Sequence, residues 1–157
     1  MTTLLIKPND IAELTGFSGN IDLDSIANIV NVIQRVNLKA ILGADLLAKI
    51  IEDYENDDLT GDYKTIYDDY VVYMLAFYSC SLYLSINAVK VTNNGVYRSN
   101  AEGATLATKA EVDNLNQEYK GLGASIENAF NDFMKIISIP EWKGNNNFKE
   151  NNFIPWH

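Results

Sequence analysis

Tyr70-Val71-Val72-Tyr73-Met74-Leu75-Ala76-Phe77-Tyr78-Ser79-Cys80-Ser81-Leu82-Tyr83-Leu84-Ser85-Ile86-Asn87-Ala88-Val89 is a run of twenty residues without a charge, and its reading decides the fold. It is about as long as a membrane span. Its composition argues against one. Four tyrosines, Ser79, Ser81, Ser85 and Asn87 break the apolar surface, Gly is absent, and Asp68-Asp69 leads into it instead of Lys or Arg. Hydroxyls at this density prefer a protein interior or a subunit interface, where they find partners. The expectation is a central helix over about residues 63–88, buried on most sides. Cys80 inside it is expected to be an inert core thiol, because no His or basic residue is near it in sequence.

Upstream of this run, Glu52, Asp53, Glu55, Asp57, Asp58 and Asp62 crowd into residues 52–62. An EF-hand loop needs Gly at its sixth position and Glu at its twelfth. Counted from Asp53, those positions hold Asp58 and Lys64, so a solvated acidic turn between helices is the better reading. Further upstream, Ile26, Ile29, Val30, Ile33, Val36, Ala40 and Ile41 recur at helical spacing and make one apolar face. Asp22 or Asp24 can cap that helix, Gly43 ends it, and Asp45 can cap the next, which carries Leu46, Leu47, Ile50 and Ile51. A short first helix starts at Pro8-Asn9-Asp10, with Asn9 as candidate N-cap, and stops at Gly16.

Downstream, residues 90–98 change character. β-formers flank Asn94-Gly95, a strong two-residue hairpin signal, and a lone hairpin is marginal unless a neighbouring chain supports it. Asn93, Asn94 and Gly95 are therefore candidates for an inter-subunit contact or a channel lining. Residues 99–107 read as a loop. A long helix follows over about 108–138, with Val112, Leu115, Tyr119, Leu122, Ile126, Phe130, Phe133 and Ile137 as its seam and a weak point at Gly121 and Gly123. Lys120-Gly121-Leu122-Gly123 lacks the spacing of a phosphate loop. Residues 139–157 have too little periodicity for a core of their own, yet hold Trp142, Phe148, Phe153 and Trp156. Two readings stay open: an arm that uses these aromatics as anchors on a partner, or a tail folded back on its own domain.

The chain has 157 residues, 12 Lys+Arg against 21 Asp+Glu, a formal net charge of −9 and 47% hydrophobic residues. That is one domain, or a domain with an arm, and enough apolar content for a core. The one Cys and the C-terminal His157 leave no Ser-His-Asp triad, multi-Cys site or His-rich metal site. No metal and no cofactor is expected. Negative charge disfavours tight binding to nucleic acid or to an anionic membrane surface. The N-terminal apolar run is too short for a signal peptide, which with a free thiol fits a reducing cytoplasm.

The order of elements, with Asp22–Leu42 running into Gly43-Ala44-Asp45-Leu46, the Tyr70–Leu84 helix and Val91-Thr92-Asn93-Asn94-Gly95-Val96, resembles the head-to-tail connector (adaptor, or head-completion) proteins of tailed phages. Within these it is most similar to the ring proteins of crAss-like phages. The resemblance covers about residues 8–138. It implies a helical-bundle subunit; with the reading of the residues this gives a mainly α fold, a helical connector domain over 1–138 with a short β-hairpin insertion at 90–98, followed outside the resemblance by 139–157 as an extended aromatic arm. It also implies a non-enzymatic virion subunit, assembled in the host cytoplasm into a ring of twelve below the portal protein. Such a ring extends the channel for double-stranded DNA, which passes without specific binding, and offers a platform to further ring or tail proteins. The alternative from the residues alone is an acidic soluble helical adaptor or inhibitor of an intracellular partner.

Overall fold

The computed structural model describes residues 3–17, 22–87, 90–92, 95–97 and 108–144. The chain is mainly helical. Helix α1 spans Pro8–Thr15, and α2 spans Leu23–Ile33 and passes through a π-helical turn, Gln34–Leu38, into α3, Lys39–Leu42. Helix α4 is Ala44–Glu55. Helix α5, Gly61–Ile66, passes through a second π-turn, Tyr67–Val71, into α6, Val72–Asn87. Two three-residue segments, Lys90–Thr92 and Gly95–Tyr97, pair antiparallel with Val91 opposite Val96. Asn93 and Asn94 lie outside the described residues. Helix α7, Lys109–Met134, closes the bundle.

Helix boundaries follow local chemistry. Pro8 occupies the first helical position, so the N-cap is Lys7 and not the expected Asn9; the residue before a proline is held extended, and Lys7 has φ −80° and ψ 143°. Gly16 ends α1 in the left-handed region, at φ 67°. Asp22 caps α2, its carboxylate accepting from the Asp24 and Ser25 amides at 3.1 and 3.3 Å. Asp45 does not cap α4. Gly43 takes that position, and the Asp45 carboxylate instead pairs with Lys143 at 2.6 Å. Thr108 and Glu111 form a capping box at the start of α7, and accepting from the Thr108 amide and hydroxyl holds the Glu111 carboxyl below its ordinary pKa.

Residues 61–87 make one helix of 27 residues, long and apolar enough to cross a membrane by length and composition. Within the subunit it packs along α7 on one side and against α2 and α1 on others. Met74, Leu75, Ala76, Ser79 and Cys80 are buried, whereas Ser85 and Ile86 are exposed. Burial on most sides therefore holds for its middle and not for its length. Cys80 is buried, with burial raising its thiol pKa and its Sγ 3.6 Å from the Thr15 hydroxyl. The acidic stretch is exposed at Glu55, Asp57 and Asp58, but Asp53 is buried and holds Lys49 at 2.7 Å.

The two π-turns reset the core. An α-helix repeats a buried position every three or four residues; a π-turn inserts one extra residue. Accordingly Ile33 is followed in the core by Leu38, and Ile66 by Val71, each a step of five. Val36, expected in the core, is pushed to 62% exposure. Each turn also aims a polar side chain at the same N-terminal segment. The Gln34 amide accepts from the Leu5 N–H at 3.0 Å and donates to the Thr3 carbonyl at 2.8 Å. The Tyr67 hydroxyl donates to the Leu5 carbonyl at 2.8 Å. Leu5 and Ile6 are thereby buried as part of the core.

The seam of α7 also differs from the one expected. Tyr119, Gly123, Ile126, Phe130, Phe133, Met134 and Ile137 face the bundle, while Leu115 and Leu122 are exposed. Gly123 has no side chain to register as apolar, so periodicity assigns its place to Leu122. A Cβ at Gly123 would lie 2.7 Å from the Tyr78 ring, whose hydroxyl is fixed by donation to Glu127 at 2.8 Å. At Gly121 nothing lies within 4 Å. Opposite effects are expected from the same change: Gly123→Ala should destabilise by about 1–2 kcal/mol, overpacking outweighing the helix-propensity gain. Gly121→Ala should stabilise by about 0.5–1 kcal/mol. Urea midpoints of the two variants decide, and a stabilised Gly123→Ala would contradict the close approach.

The expected division at residue 138 falls inside packed structure. Ile139 is buried, and the Trp142 ring meets Phe130 edge-on at 6.4 Å. Glu141 accepts from the Tyr63 hydroxyl at 2.7 Å, and Lys143 reaches Asp45. Residues 139–144 thus belong to the bundle.

Candidate functional site

Titratable groups do not converge on a reaction centre in the described part of the chain. A cleft of about 440 Å³ is lined by Asp53, Tyr54, Asp57, Leu59, Lys64 and Tyr67. Its one buried carboxylate, on Asp53, is already hydrogen-bonded to Lys49, and burial raises the Tyr67 phenol pKa, keeping it protonated. No nucleophile stands beside a base there. Among the described residues no group of three or more His, Cys, Asp or Glu is placed to hold a metal ion. The polar contacts between α6 and α7 are structural: Ser81 donates to Asn116, Asn116 donates to Ser85 at 2.6 Å, and Tyr78 donates to Glu127.

What stands out is exposed apolar surface in regular array. On α7 and the turn after it, Leu115, Leu122, Ala129 and Ile136 are seven residues apart and all exposed, Leu122 by 47% and Ile136 by 80%. Glu111, Glu118, Ser125 and Asp132 are also seven apart and exposed, each three or four residues from the apolar set. Positions alternating by four and three lie on one side of a helix, so this is one continuous face of alternating polar and apolar character. A second exposed face lies at the α2 π-turn. Val32 is 49% and Val36 62% exposed, and the exposed Arg35 and Lys39 adjoin them. Helices α2 and α7 each pack on α6 and not extensively on each other, so a subunit offers two separate faces.

Of the residues singled out from sequence, the structure places Trp142 against its own core. Among the described residues its indole N–H finds no acceptor, so packing against Phe130 is what seats it. The residue is half-buried in this position. Phe148, Phe153 and Trp156 lie outside the described residues, as do Asn93 and Asn94. Gly95 begins the second of the two short paired segments. Sequence reasoning missed the α7 face because its leucines were counted into the core seam; the signal was the seven-residue repeat of Glu111, Glu118 and Asp132 beside Leu115 and Leu122.

No curated protein and no solved structure matches the chain. A family model matches over residues 38–152, from the end of the first π-turn to beyond Trp142. That span is well over half of the sequence, and the chain belongs to the family of unknown function DUF6712.

Proposed function

We propose that the protein is a structural virion subunit that assembles into a ring at the head–tail junction, below the portal. The ring extends the DNA channel and offers a platform for tail proteins. The observation that carries this reading is the pair of exposed faces on α7 and α2, on a bundle whose described titratable groups assemble no reaction centre. Exposed apolar residues repeated every seven positions along one helix face form a row on which another helix can lie. Two different faces on one subunit suit head-to-tail association, which closes into a ring when the rotation permits. The net charge of −9 suits a conduit that does not hold DNA. The hairpin at 90–98 serves, in this reading, as an insertion that meets a neighbour or the channel, and Phe148, Phe153 and Trp156 as anchors on the portal or next ring.

An inhibitor that mimics DNA with its carboxylates is less well supported. Along α7, Glu111, Glu118 and Asp132 are spaced by roughly 10–20 Å, given a rise of about 1.5 Å per residue. Duplex DNA carries a charge about every 1.7 Å.

Co-sedimentation with the portal protein of the same virion tests the proposal. The full chain should bind as an oligomer. A chain ending at residue 144 should keep its melting temperature and lose most of its portal binding. A strictly monomeric chain, both alone and with portal, contradicts the ring reading; unchanged binding after truncation contradicts the arm assignment.

A further inference from the structure

We infer that the α7 face of one subunit docks on the α2 π-turn of the next copy of this chain, with Leu115 and Leu122 against Val32 and Val36 and the acidic row beside Lys39. This rests on the ring reading and names the contact that would build the ring. The repeat on α7 selects the kind of occupant. Within α7 the exposed Leu115, Leu122 and Ala129 recur every seven residues, the repeat with which one helix lies along another. Charge selects which helix. Glu111, Glu118 and Asp132 flank the exposed leucines, so a second α7 laid on the first would set carboxylates against carboxylates. That disfavours a two-fold contact of α7 with itself.

The α2 turn has the complementary character. Val32 and Val36 supply the apolar centre, and Lys39 supplies the opposite charge within two turns of helix. The π-turn is what creates this patch: by moving Leu38 into the core it turns Val36 outward. A donor face and an acceptor face on different helices make the contact heterologous, so each subunit engages two neighbours.

Cysteine pairing tests the contact. Cys80, the native cysteine, is fully buried and does not compete. The double variant Leu122→Cys with Val36→Cys should give, under mild oxidation, a ladder of disulfide-linked oligomers. Either single variant should give none, and a mixture of the two singles should give linked dimers only. All four sites of change are exposed, and unchanged melting curves confirm that the variants fold. Charge reversal is the second arm. Glu118→Lys alone and Lys39→Glu alone should each weaken self-association by at least about tenfold, and the two together should restore it. Covalent dimers from Leu122→Cys alone would show α7 meeting α7 and overturn the inference, as would a double variant that forms only an internal disulfide. If wild-type rings form but no such linkage appears, the interface is elsewhere and the ring reading survives. If the wild type stays monomeric at every concentration and with portal, the ring reading itself falls.

Discussion

Replacing Phe130 with alanine is expected to cost about 3–5 kcal/mol, the range for truncating a buried aromatic ring. The side chain is 0% exposed and lies where three parts of the chain meet. Tyr70 from the second π-turn meets it edge-on at 5.9 Å, and Trp142 meets it from beyond the end of α7 at 6.4 Å. Truncation removes the transfer free energy of the ring and leaves a cavity whose walls, two large aromatics, collapse poorly. For a domain of this size the loss corresponds to a fall in melting temperature of roughly 10 °C or more. Phe130→Leu, which keeps most of the volume, should cost about a third as much. Since Trp142 shares the site, Phe130→Ala and Trp142→Ala should be coupled by about 0.5–1.5 kcal/mol in a double-mutant cycle. Additive effects would contradict the placement of residues 139–144 on the bundle.

Gln34→Leu should release the N-terminal segment. The side chain is 1% exposed and makes both hydrogen bonds to the backbone of Thr3 and Leu5. Leucine fills similar space but leaves the buried Leu5 N–H without an acceptor and the Thr3 carbonyl without its donor. A stranded buried group costs about 1–3 kcal/mol, so the pair should lose roughly 2–3 kcal/mol. The Tyr67 bond to the Leu5 carbonyl is retained, so the penalty falls on this segment first. The chain can limit it by letting residues 3–6 undock. Hydrogen exchange of the Leu5 amide should then quicken by roughly 30- to 100-fold, while amides in the middle of α6 change less. Uniform loss of protection across α6 would show that the segment is integral to the global fold and not locally docked.

These two sites mark where the sequence was legible and where it was not. The central helix was readable from Tyr70 onward because its hydroxyls argued for an interior, and Ser81 does find Asn116 while Tyr78 finds Glu127. Gly16, Asp22 and Gly43 gave true boundaries because each acts through its own backbone or the adjacent turn. Asn9 and Asp45 failed as caps because Pro8 and Gly43 settle those positions first. The π-turns were invisible. A five-residue step between Ile33 and Leu38 reads, in an α-helical frame, as a core Val36 and a surface Leu38. What selects the π-turn is tertiary: Gln34 must reach a segment some thirty residues earlier. The interaction face on α7 was hidden for a related reason, since a buried glycine carries no hydropathy and Leu122 took its place in the pattern. The aromatic tail divided in the same way. Trp142 could serve either burial, and its contact with Phe130, twelve residues earlier on α7, is a tertiary one that periodicity does not announce.

The central proposal is that two faces on one subunit build a closed ring. Electron micrographs of the purified protein, with mass from light scattering on the same sample, test it most directly. The expected result is uniform rings with a stained central channel and a mass near 210 kDa for about twelve copies of the 17.6 kDa chain. Discrete particles at 17.6 kDa over the whole concentration range, with no rings in the field either alone or with the portal protein, would contradict it.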